Sequence, residues 1–146
     1  MELKDYQPYW NAAEPAMRAK LEELKQQLEG ATQYALSEIT EGGDEEFRLS
    51  LDLRSGDITV LGIDFILLDA EANGEAEGVG VKVDLVGYTA LALGGYAPYN
   101  YTDQAFTSDV EEVIHRIEDL NVSDLKVYII EEALTDKNLL QALASA

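Results

Sequence analysis

Between Met17 and Leu28 the apolar residues Met17, Leu21, Leu24 and Leu28 recur at spacings of four, three and four, with Arg18, Lys20, Glu22, Glu23 and Lys25 in the intervening positions. That period is the buried stripe of an amphipathic helix. Pro15 suits a first helical position with Glu14 as its cap, and Ala31, Ala35 and Ile39 prolong the stripe past Gly30. The first helix is therefore expected over about 15–39. The acid-rich stretch Glu41 to Glu46, with Gly42 and Gly43 inside it, is a loop by composition.

From Phe47 the period falls to two. Phe47, Leu49, Leu51 and Leu53 alternate with Arg48, Ser50, Asp52 and Arg54, which is the signature of a strand with one wet face. Ser55-Gly56 is a tight turn and Asn73-Gly74 a strong hairpin turn, so three strands follow at about 47–54, 58–71 and 76–93. If both loops hold two residues, Leu51 faces Val60, Leu49 faces Gly62 and Phe47 faces Asp64. The second turn sets Ile66 against Val81 and Asp64 against Val83. Both turns then place the even-numbered residues of the middle strand on the face that the first helix covers.

The other face would carry Leu61, Ile63, Phe65 and Leu67, flanked by Val86 and Tyr88 and by Arg48, Ser50 and Asp52. An apolar patch of that size calls for a cover: the second helix, a second copy of the chain in a homodimer, or a ligand. That second helix is expected at about 109–120, with Ser108 and Glu111 as a capping box and Val110, Val113, Ile114, Ile117 and Leu120 as its stripe. Leu125 to Glu132, with Val127, Ile129 and Ile130, has the look of a fourth strand at about 125–132. The element order is then α-β-β-β-α-β, a single α+β domain over 1–146, with 1–10 and 135–146 expected to be less ordered.

Composition fits that picture. The chain has 146 residues, 47% of them apolar and 27% charged, which is ordinary for one globular domain. It carries 29 acids against 10 bases, a formal charge of -19. The acids are spread, 11 against 5 bases in residues 1–50, 8 against 2 in 51–100 and 10 against 3 in 101–146. Such a field repels phosphate backbones and anionic lipid, so neither direct nucleic-acid binding nor membrane binding is expected. With no apolar run of spanning or signal length, the expected location is the cytoplasm.

The chemistry on offer is narrow. With no cysteine and one histidine, thiol nucleophiles, zinc thiolate sites and imidazole pairs are excluded. His115 belongs to an exposed row with Glu111 and Asp119, four residues to either side. Asp69, Glu71, Asn73 and Gly74 match the opening of a calcium loop, but the twelfth position, where a bidentate Glu is needed, holds Gly80. No metal or cofactor is expected.

Two features remain. Gly94 to Thr102 sets Tyr96, Tyr99 and Tyr101 among two glycines and a proline, the composition of a recognition loop. Lys82 and Asp84 lie two apart on the third strand and supply a polar pair. The expected function is a non-enzymatic acidic interaction protein of inhibitor, immunity or accessory type, binding a protein partner with a basic or mixed surface. Its anchors would be Tyr96, Tyr99, Tyr101, Ile63, Phe65 and Tyr88. The alternative is a small-molecule-binding domain whose cavity lies between the sheet and the tyrosine-rich loop, with Lys82 and Asp84 as polar handles.

Overall fold

The computed structural model describes residues 3–43, 46–70, 78–88, 99–100 and 106–145. The fold is α+β with antiparallel strands, in which one layer of helices covers one face of a sheet. The Asn73-Gly74 turn, the third strand's expected continuation over 89–93, and Tyr96 and Tyr101 all lie outside the described residues.

Helix α1 spans Leu3–Leu28, and so starts well before Pro15 and stops before Ile39. Its early start follows from the same stripe, since Tyr6 and Ala13 are buried in line with Met17, Leu21, Leu24 and Leu28. The Tyr6 ring packs on Phe47 with centroids 4.3 Å apart, and its hydroxyl donates to the carbonyl of Leu67. Tertiary packing thus holds both Pro8 and Pro15 inside a helix, although each forfeits a backbone bond. The end comes at Gly30, whose φ of +78° suits glycine and turns the chain out of the helix. Beyond it Ala35–Leu36 (β1) and Thr40–Glu41 (β2) pair in turn with the first long strand.

The long strands are β3 (Arg48–Ser55), β4 (Ile58–Asp69) and β5 (Val79–Gly87), joined by a two-residue strand β6 (Tyr99–Asn100). The sheet runs β1-β3-β4-β5-β6, with β2 also on β3. The expected meander forms, but its middle strand is turned over. Leu49 pairs with Phe65, Leu51 with Ile63 and Leu53 with Leu61; Phe65 pairs with Val83 and Ile63 with Leu85.

The cause is local. Ser55 pairs with Ile58, so the loop is Gly56-Asp57, with Gly56 at φ +60°, and a bulge at Leu53/Arg54 moves the register one residue further. The two hairpins are displaced from the expected pairing by odd numbers of residues, and each such step exchanges faces. Energetics favour the outcome. Leu61, Ile63, Phe65 and Leu67 all enter the core, where each large apolar side chain contributes about 1.5–3 kcal/mol. The second apolar face therefore does not form, and a homodimer through it, one of the three covers considered, has no apolar patch there to bury, because Ile63 and Phe65 are both 0% exposed in the core that α1 covers.

The second helix, α2 (Val110–Glu118), is where the periodicity places it, with Val113 and Ile117 buried. Its cap is Asp109 instead of Ser108: the Asp109 carboxylate accepts the Glu111 N–H at 3.0 Å. The expected fourth strand is helical. Residues Val122–Tyr128 form α3, capped by the Asn121 side chain on the Asp124 N–H, and Ile129–Ala133 continue it as a π-turn. Val122, Leu125 and Ile129 are buried at spacings of three and four, whereas Val127, which alternation would have buried, is 49% exposed. A last helix, α4 (Lys137–Ala144), is capped by Asp136 and buries Leu139. Among the described residues no helix is long and apolar enough to cross a membrane.

Candidate functional site

Two surfaces concentrate chemistry. The first is the outside of the helical layer. Over 109–136 nine carboxylates, Asp109, Glu111, Glu112, Glu118, Asp119, Asp124, Glu131, Glu132 and Asp136, are all exposed, and the cations in that stretch are Arg116 and Lys126. Arg116 is engaged with Glu112 at 3.3 Å. The inward stripes of α2 and α3 explain the segregation: their apolar residues are committed to the core, so the acids between them point outward. The layer is tied together at its margins. Tyr9 donates to the carbonyl of Ser108 at 2.9 Å, and the Lys20 ammonium to the carbonyl of Leu120 at 3.1 Å, just past the C-terminal end of α2. His115 is exposed within this acidic face.

The second surface is the even-numbered face of the sheet, opposite the helices. Antiparallel pairing lines up Ser50, Asp64 and Asp84 across β3, β4 and β5, with Arg48, Ile66 and Lys82 on one side of that row and Asp52, Gly62 and Val86 on the other. The Ser50 hydroxyl donates to Asp64 Oδ1 at 2.6 Å, and Lys82 Nζ lies 3.2 Å from Asp84 Oδ2. Asp84 is 7% exposed, and its other oxygen, Oδ1, is buried without a hydrogen-bond partner among the described residues, as is Arg48 Nε. Gly62 leaves room in the next row, where a Cβ would come 3.4 Å from Asp52 Oδ1.

Electrostatics follow from that crowding. Burial pushes the Asp64 carboxyl above the usual aspartate range; the Ser50 hydroxyl and Arg48 oppose the shift, and Asp52 and Asp84 add to it. Burial raises Asp52 as well, against the pull of Arg54. Among the described residues no group of three or more histidines and carboxylates is placed to hold a metal ion.

The sequence-derived candidates divide between these surfaces, the core and the chain beyond description. Lys82 and Asp84 form an ion pair on the polar sheet face. Ile63 and Phe65 are core residues and floor no surface cavity. Tyr88, directly after β5, is half-buried, and the backbone of Tyr99 pairs with Leu85 in β6. Two residues outside the sequence-derived candidates, Ser50 and Asp64, form the row with Asp84 because the middle strand is turned over, and Asp52 stands in the next row. Asp64 was the available signal: a lone carboxylate assigned to a dry face marks a register worth doubting. No family model, no curated protein and no solved structure matches this chain.

Proposed function

We propose that the chain is a non-enzymatic interaction protein whose helical layer docks on a protein partner with a basic or mixed surface. The observation that carries this reading is the segregation over 109–136 of nine exposed carboxylates against Arg116 and Lys126. Like charges gathered on one exposed stretch raise the local potential, which steers a cationic partner and speeds encounter. Steering alone gives little residence time, so an apolar contact is needed beside it. Val127, 49% exposed on the same helical segment, supplies one candidate.

The test compares the wild type with a neutralised variant in which Glu111, Glu112, Glu118, Glu131 and Glu132 become Gln and Asp119 and Asp124 become Asn. Immobilised wild-type protein is expected to retain a basic protein from cells of its source, with an association rate that falls steeply as salt is raised. The neutralised variant should lose that partner while keeping the same circular dichroism. Equal capture by both proteins, or a rate indifferent to salt, overturns the reading.

A further inference from the structure

On the opposite side of the molecule from the proposed docking face, Asp64 and Asp84 are direct cross-strand partners on β4 and β5. Directly opposed residues on one sheet face hold their Cβ atoms about 4.5–5.5 Å apart, within reach of a hydrogen bond between short side chains. Two ionised carboxylates in that position repel each other, and one bound proton converts the repulsion into a hydrogen bond. The remaining oxygens are already engaged asymmetrically. Asp64 accepts the Ser50 hydroxyl through Oδ1, and Asp84 pairs with Lys82 through Oδ2. That leaves Asp84 Oδ1 on the shared face, buried and without a partner among the described residues.

We propose that Asp64 and Asp84 form a proton-binding site, in which one proton taken from solvent is carried on the Asp64 oxygen not engaged by Ser50 and donated to Oδ1 of Asp84. The bond formed is O–H···O between the two carboxyls, with no other group altered. Lys82 neutralises the acceptor, and Ser50 orients the donor. The charged groups facing the pair are Arg48 and Asp52 from β3 and Lys82 from β5, and the raised titration of the Asp64 carboxyl has the direction that such a site requires. The site satisfies a buried acceptor whose unmet hydrogen bond otherwise destabilises the fold.

Carboxyl carbon NMR of the full chain across acid pH tests it, with resonances assigned through Asp64→Asn and Asp84→Asn. In the wild type, Asp64 should titrate above the ordinary aspartate range, and the Asp84 carboxyl carbon should shift at the same midpoint because it accepts that proton. Asp84→Asn should return the Asp64 midpoint toward the ordinary range. Asp64→Asn should remain folded, since its amide donates to the same oxygen. Independent midpoints for the two residues in the wild type overturn the proposal, and this measurement needs no variant to fold. So does an Asp64 midpoint unchanged in Asp84→Asn, which would leave burial alone as the cause.

Discussion

The two faces of the sheet are built from the same three strands, yet they meet opposite physical demands. On the odd-numbered face, rows such as Leu49–Phe65–Val83 and Leu51–Ile63–Leu85 are closed by α1 and need only complementary volume. On the even-numbered face, the row Ser50–Asp64–Asp84 must satisfy each buried polar atom, and one oxygen has no partner among the described residues. Apolar packing is tolerant of partner identity, and buried polar groups are not. The difference teaches where specificity resides: the odd face fixes the register by area, and the even face responds to protons and counter-ions.

The largest expected effect breaks the apolar face. Phe65→Ala removes a ring that is 0% exposed at the centre of the middle strand, and should cost about 3–5 kcal/mol in urea unfolding. A loss below about 1 kcal/mol would mean that the ring is not buried under α1. On the polar face, Lys82→Ala leaves the nearly buried Asp84 carboxylate without its counter-ion. Because Lys82 keeps 23% of its side chain exposed, the expected loss is about 2 kcal/mol, below the range for a fully buried pair.

Ser50→Ala is next, at about 1.5 kcal/mol, since it deletes a donor to a carboxylate. Its pH dependence has a definite sign. The hydroxyl favours the ionised form of Asp64, so the loss should be full above the Asp64 titration and shrink as pH falls through it. In the wild type, Asp64 itself works the other way. Its folded-state titration lies above the unfolded one, so its contribution to stability is present at low pH and is lost as pH rises from the unfolded value through the folded one. Urea midpoints measured in steps across the acid range check both signs.

How much of this was legible depends on which interaction decides each element. The α2 stripe of Val113 and Ile117 and the body of α1 were readable because their periodicity is their packing. The caps and ends were less so: Asp109 stands next to Ser108, and either could cap by type. Residues 125–132 suggest a strand because Val127, Ile129 and Ile130 are strand formers, yet they lie within the helical stretch Val122–Ala133. The helix over Val122–Tyr128 instead packs on α1, burying Val122 and Leu125, a contact that sequence spacing does not display. The sheet faces were misread through cancelling displacements. Moving the turn from Ser55-Gly56 to Gly56-Asp57 shifts the pairing by two residues and keeps the face; the bulge at Leu53/Arg54, which the spacing does not display, adds the odd step that reverses β4 against β3, and a one-residue slip at the second hairpin reverses β5 back, so only β4 faces the other way from expectation. Of the candidate site, Lys82 and Asp84 are visible as a pair in the sequence, but the row of Asp84 with Ser50 and Asp64 depends on that reversed strand.

The smallest effect gives the sharpest discrimination between the faces. Ile63 and Ile66 lie on the same strand on opposite faces; the first is 0% exposed and the second half-buried between Arg48 and Lys82. Ile→Val deletes one methyl group from each without changing charge, hydrogen bonding or strand propensity by much. At position 63 the methyl leaves a cavity in a closed core, and the cost should be about 1 kcal/mol. At position 66 its space is refilled by solvent or by the flexible stems of Arg48 and Lys82, and the cost should stay below about 0.5 kcal/mol. The reverse ranking would turn β4 over again. It would return Asp64 to the face under α1, and the proton site with Asp84 would lose its geometry.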